Sequence, residues 1–280
     1  MAQFPGSEGV EDGLGAYLER IGLGGPVAAT EDGLALVHQR HSETVPFENL
    51  DILLGRGISL RPEDVFAKLV TARRGGYCFE QNSLFFSALS ALGFTLRPLL
   101  ARVWVGGITE PREKTHQLLL VTLNGREWIA DVGFGTAGSA LPLPFEYDRI
   151  SEQPGRRYRL RADEVFGTMF EWSVAGGPWE KLYSFDLERV WQADFEMGNH
   201  FMATHASSPF TSRAVCSIQT PDGWRVLVNT DLTETMGGVA RQSSVPGGAA
   251  YMEMLRDKFL LDLDVPYEAL APRQTADAAE

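Results

Sequence analysis

An α+β fold is predicted by three features of the chain. The first ninety or so residues carry helical periodicity, β-branched and aromatic runs take over from Phe94, and a hairpin followed by a helix closes the sequence. In the first part, GLGAYLERIGL and EDGLALVHQRHSE place apolar residues three and four apart, and PEDVFAKLVTA opens with Pro and acidic residues as helix N-termini do. The pattern of SLFFSALSALG, closed by Gly93, predicts a helix from about Cys78 to Leu92. LLARVWV, HQLLLVTL, EWIADVGF and RRYRLRA then read as strands. SRAVCSIQT and WRVLVNT flank a Pro-Asp-Gly turn and form another hairpin pattern. A helical YMEMLRDKFLLDL and a polar RQTADAAE, expected to fray, complete the chain.

The 280 residues, 44% of them hydrophobic, suffice to build a sizeable core as one large domain or as two to three small ones. A formal charge of −12, without clustered Lys and Arg, excludes a basic face for nucleic acid. The first residues lack a basic and apolar leader pattern, and no apolar run reaches the length of a membrane span, so a soluble, cytoplasmic protein is expected. Two distant cysteines make no disulfide framework, and a cytosolic thiol stays reduced. Cys216, inside AVCSI, reads as a core residue. Neither HExxH nor paired CxxC spacing is present, nor a GxxxxGK[ST] loop, so no metal is expected.

The stretch RRGGYCFEQN, Arg73 to Asn82, puts Cys78 at the start of a predicted helix. First-turn N–H groups and nearby Arg73 and Arg74 favour a thiolate, and Gly75 and Gly76 permit unusual backbone and close approach of a substrate. A buried structural cysteine is the alternative, since free Cys is among the most buried residue types. The hairpin THQLLLVTLNGREWIADVGFG adds weight to the first reading. Asn124-Gly125 specifies a two-residue turn, so Leu123 faces Arg126, Leu118 faces Asp131 and His116 faces Gly133. His116 and Asp131 are then diagonal neighbours on one face, about 7 to 8 Å apart at Cα, within bridging reach. A thiolate, an imidazole and an orienting carboxylate are the parts of covalent acyl transfer. A satisfied polar pair on a solvent face is the alternative for His116 and Asp131, although the strand around Asp131 is mostly apolar.

RRGGYCFEQN, THQLLLV and ADVGFG, preceded by VPFENLDI at Val45 to Ile52, resemble the motifs of the arylamine N-acetyltransferases in their order and spacing. The resemblance implies three parts around a cysteine-protease/transglutaminase-like catalytic core. These are an N-terminal helical bundle carrying the nucleophile (1–92), a central antiparallel β-barrel-like domain carrying His and Asp (93–203), and a C-terminal α/β lid with the tail (204–280). It implies a triad of Cys78, His116 and Asp131 and a ping-pong reaction. Acetyl-coenzyme A, a co-substrate and not a permanently bound cofactor, acetylates the cysteine, and an aromatic amine or hydrazine takes the acetyl group. Phe79, Gly133, Phe134 and Phe210 are expected to line the acceptor pocket, with Gly133 leaving room beside His116. Glu48 and Arg74 are expected to form a structural ion pair behind the site, and coenzyme A to lie in a cleft between barrel and lid. Small-molecule substrates are the expected partners, with no nucleic acid and no membrane. The acceptor, the acyl selectivity and the oligomeric state, a homodimer included, stay open. His38, His41, His200 and His205 are assigned structural or surface places. Transglutaminase-like, peptidase-like and amide-synthase chemistry share the same residue logic and differ in the acyl donor or acceptor; a non-enzymatic interaction module would leave the three triad residues unused.

Overall fold

A computed structural model of the protein describes residues 7–270. The expected fraying of RQTADAAE concerns residues outside the described ones. Two helices come first, α1 (Ser7–Arg20) and α2 (Glu31–Thr44), the second capped by Thr30, whose hydroxyl accepts the Gly33 N–H at 3.1 Å. The two-residue strand β1 (Phe47–Glu48) and the short α3 (Leu50–Leu53) follow. PEDVFAKLVTA reads as one α-helix, but only its first half is one. Helix α4 (Pro62–Phe66) widens into a π-turn over Ala67–Thr71, where the Ala72 N–H reaches back to the Ala67 carbonyl. Helix α5 (Cys78–Ala91) then ends where expected, at Leu92 and a positive-φ Gly93.

The middle of the chain is an eight-stranded antiparallel sheet. Its strands are β2 (Thr95–Val103), β3 (Lys114–Leu123), β4 (Arg126–Ala130), β5 (Leu143–Pro144), β6 (Ser151–Gln153), β7 (Arg156–Asp163), β8 (Gly167–Val174) and β9 (Glu180–Phe185). The spatial order is β5-β4-β3-β2-β9-β8-β7-β6, and a bridge between Tyr147 and Leu160 brings its ends together into a nearly closed barrel. Asn124 and Gly125 both take positive φ, and Leu123 pairs with Arg126 as the turn requires. The ladder stops at Leu119 and Ala130, so Asp131 lies one residue past the strand and the expected pairings of Leu118 with Asp131 and His116 with Gly133 do not form.

Helix α6 (Gln192–Thr204) leads to a C-terminal sheet of β10 (Val215–Thr220), β11 (Gly223–Val228), β12 (Asp231–Met236) and β13 (Val239–Ser244), followed by α7 (Ala249–Phe259). The stretch between WRVLVNT and YMEMLRDKFLLDL, to which the sequence pattern assigns no element, thus contains the β12–β13 hairpin. The N-terminal β1 joins this sheet against β10, with Phe47 opposite Ser217 and Glu48 opposite Cys216. One apolar core, including Tyr17, Leu34, Phe85 and Val121, packs the helices onto the barrel, a second fills the barrel around Tyr158, Phe170 and Tyr183, and a third lies under α7. Cys216 is fully buried in that third core, as its apolar strand pattern predicts.

Candidate active site

The backbone that delivers Cys78 is held from several sides. Arg20 at the end of α1 donates through Nε to the Leu69 carbonyl at 3.0 Å and through Nη2 to the Arg73 carbonyl at 3.4 Å, where Arg73 itself takes φ +52°. Gly75 and Gly76 are needed for close packing, not for an unusual φ or for substrate access. A Cβ on Gly75 would lie 2.1 Å from the Pro46 carbonyl oxygen, and one on Gly76 2.8 Å from Glu80 Oε2. Glu80 accepts the Tyr77 N–H at 3.1 Å, completing the first turn of α5. Cys78 itself is 5% exposed and opens onto a cleft of about 720 Å³, its thiol donating to the Thr115 carbonyl at 3.6 Å.

His116 and Asp131 meet as the hairpin predicts, with Nε2 and Oδ2 2.7 Å apart and both residues almost fully buried. Burial alone would lower the His116 pKa, but the charge and hydrogen bond of Asp131, joined by Cys78, raise it to about 10. The same pairing holds the Asp131 carboxyl below its usual range despite burial, aided by Asn82 and the Gly133 N–H. With Nε2 turned to the carboxylate, the other ring nitrogen is left for the thiol.

Two residues behind Asp131 are given no part in the site by the sequence reading. Asn82, one turn after Cys78 on α5, donates to Asp131 Oδ1 at 3.0 Å and to the Gln117 carbonyl at 2.6 Å, and its own carbonyl accepts the Val132 N–H at 3.2 Å. The i, i+4 spacing from Cys78 was the available signal. His38, assigned a structural place, is fully buried and accepts the Asp131 N–H at 3.1 Å. His41 is also buried, between Tyr17 and Gln81, whereas His200 and His205 are exposed.

Gly133 lines the cleft, but its missing side chain makes room for the backbone of Cys78. A Cβ there would lie 2.8 Å from Cys78 Cα and 2.7 Å from Asn82 Nδ2. Gly133→Ala is therefore expected to push α5 away from Asp131. Single-turnover acylation should fall about a hundredfold, with a stability loss of about 1 to 3 kcal/mol. Unchanged acylation would show that α5 and the 131–133 segment shift together without cost.

Behind Cys78 lies a buried charge cluster. Arg74 Nη2 meets Glu48 Oε1 at 2.6 Å and Asp51 Oδ1 at 3.3 Å, so the expected Glu48–Arg74 pair is present and larger than a pair. Lys68, turned inward by the π-turn, reaches Asp51 Oδ2 and Glu80 Oε1, each at 2.8 Å. Burial raises the Glu80 pKa to about 7 against the opposing pull of Lys68.

Phe134 and Phe210 line the cleft together with Phe47, and the Phe134 ring stands edge-on to His116 at 4.8 Å. Phe79 does not reach the cleft: it is fully buried between Tyr77 and Phe195, under Gly198 of α6. Its side chain follows Cys78 around the helix and points into the core while the sulfur points out.

Residues 32–267 match the model of an N-acetyltransferase family. The arylamine N-acetyltransferase of Escherichia coli is 37% identical over 256 residues, covering 90% of this chain and 89% of that protein. The structure of the arylamine N-acetyltransferase from Salmonella typhimurium, 35% identical, superposes with a TM-score of 0.86 over 90% of this chain and 92% of that one. A Mycobacterium marinum arylamine N-acetyltransferase solved in complex with CoA is 31% identical, with a TM-score of 0.84 over 89% and 93% of the two chains. With fold, length and sequence all in agreement, the chain belongs to the arylamine N-acetyltransferase family and is an acyltransferase.

Proposed function

We propose that the protein moves an acetyl group from acetyl-coenzyme A to the nitrogen of an arylamine or hydrazine through an acetyl-Cys78 intermediate. The observation that carries this reading is the imidazole of His116, bound to Asp131 at 2.7 Å, sharing with Cys78 the floor of one large and mostly apolar cleft. The Cys78 thiol gives its proton to the His116 nitrogen that faces it, leaving a thiolate beside a doubly protonated imidazolium, and the sulfur attacks the thioester carbonyl. The tetrahedral adduct collapses by breaking its bond to the coenzyme A sulfur, which leaves with the proton from His116. In the second half, the amine nitrogen attacks the acetyl carbonyl of Cys78, His116 removes a proton from that nitrogen, and the Cys78 sulfur departs. Backbone N–H groups at the start of α5 are the expected donors to the oxyanion in both halves.

The cleft walls suit both substrates. Phe47, Phe134 and Phe210 give flat apolar surface for an aryl ring. Arg112 and Arg213 are the cationic side chains in the lining and offer counter-charge to the phosphates of coenzyme A.

The test is incubation with acetyl-coenzyme A, followed by intact mass and free-thiol release with and without an aromatic amine or hydrazide. An acetyl adduct on Cys78 and acceptor-driven release of coenzyme A are expected. Cys78→Ser should lose both signals. An adduct that persists in Cys78→Ser, or a wild-type enzyme that forms none, would defeat the proposal.

A further inference from the structure

The segment 131–140 carries Asp131, Gly133 and Phe134, yet contains neither strand nor α-helix, only a 3-10 turn over Gly135–Ala137. Its first amide lies just past the end of the β3–β4 ladder, which stops at Ala130, so the Asp131 N–H has no strand partner. That N–H is instead bonded to His38 Nε2 at 3.1 Å, while His38 Nδ1 meets the Ala140 carbonyl at 3.0 Å. One ring from α2 therefore holds both ends of the segment. The same ring stands edge-on against Phe85 of α5, at 5.6 Å and 84°, which ties it to the helix that carries Cys78.

We propose that His38 is a positioning residue for the reaction: as a neutral imidazole it clamps residues 131–140 and so fixes the carboxylate that holds His116. This rests on the reading of Cys78, His116 and Asp131 as a triad. The two partners leave the ring one protonation state. The Ala140 carbonyl only accepts, so Nδ1 must carry the proton, and the Asp131 N–H only donates, so Nε2 must be bare. A charged ring would set one N–H against another and would compete with His116 for the Asp131 carboxylate. Burial accordingly lowers the His38 pKa to about 4, against the smaller opposing effects of Ala140 and Asp131.

With only five histidines in the chain, their ring nitrogens can be followed individually by long-range proton–nitrogen correlation spectroscopy. In the wild-type protein at neutral pH, His38 should be neutral with its proton on Nδ1, and His116 should be doubly protonated. In His38→Leu, which keeps bulk but loses both bonds, the His116 titration midpoint should fall by about one pH unit or more. The rate constant kcat should fall about tenfold in step, while the acceptor KM stays nearly unchanged. His38→Gln, with one donor and one acceptor, should recover most of both losses. A folded His38→Leu enzyme with unmoved His116 midpoint and kcat overturns the proposal. Where His38→Leu does not fold, His38→Ala, which lets water reach both groups, takes its place. A wild-type His38 protonated on Nε2 overturns the proposal without any variant. The wild-type titration also separates two failures: an ordinary His116 overturns the triad reading and this proposal with it, whereas a raised His116 unmoved by the His38 variants overturns this proposal alone.

Discussion

Asp131→Asn should give a folded protein whose acetyl transfer is about ten-thousandfold slower. The hydrogen bonds around the carboxylate set the direction of the effect. Asp131 Oδ1 receives two donors, the Asn82 amide and the Gly133 N–H, both at 3.0 Å, so the oxygen of the substituted amide must take that place. The NH2 group of that amide then occupies the Oδ2 position, facing His116 Nε2 at the distance now measured as 2.7 Å. Two donors cannot face each other there, so the ring gives up its Nε2 proton and carries its remaining one on the nitrogen next to Cys78. The base that should receive the thiol proton is then already protonated. The check is single-turnover acetylation of Cys78 with a melting curve alongside. Acetylation within about tenfold of the parent enzyme would remove Asp131 from its assigned role.

Arg74→Ala is expected to act on the fold instead of the chemistry. Glu48 is fully buried, and Arg74 bonds it through two nitrogens while also reaching Asp51. Without the guanidinium, Glu48, Asp51 and Glu80 would share only Lys68 as a buried counter-charge. Breaking a buried pair from one side costs about 3 to 5 kcal/mol, a large part of the roughly 5 to 15 kcal/mol that holds a typical domain folded. A melting temperature lowered by roughly 10 °C and poor soluble yield should result. The folded fraction, assayed in the cold, should keep near-normal turnover per acetylatable Cys78, because Arg74 faces the cluster and not the cleft. Arg74→Lys should fall between, since it keeps the charge and loses the fork. Normal melting of Arg74→Ala would show that water or Lys68 compensates the freed carboxylates.

The features legible in sequence are those set by local geometry. Asn124-Gly125 fixes the register of the β3–β4 ladder as far as Leu119 and Ala130, and that register points Asp131, the next residue, toward His116 even though the ladder ends before it. Gly93 ends α5 because it alone takes the left-handed conformation there without strain. The meeting of Cys78 with the hairpin was legible only through family resemblance. It depends on contacts such as Asn82 to the Gln117 carbonyl, which no periodicity encodes. His38 lies 93 positions from its partner at Asp131, and a histidine on a buried helix face looks the same whether or not it holds a catalytic segment. The π-turn escaped because apolar spacing in PEDVFAKLVTA fits an α-helix equally well until Lys68 finds its carboxylates. Strand β13 escaped for the opposite reason: exposed along its whole length, it has no alternation to read.

The pairing of β1 with β10 bears on the order in which the enzyme can be assembled. Cys78, His116 and Asp131 have all been synthesised once residue 131 is added, yet Asn49 still lacks the partners it finds in the Phe210 and Arg213 carbonyls and, 166 positions away, in the Val215 N–H. Until that late strand arrives, Phe47 and Glu48 have no sheet to join, and the cleft wall bearing Phe210 does not exist. Contacts of such sequence separation form slowly, because a long loop must close before they return any stabilisation. A nascent chain thus carries a complete set of reactive groups well before it has a place to bind anything, which delays catalysis until synthesis is nearly finished.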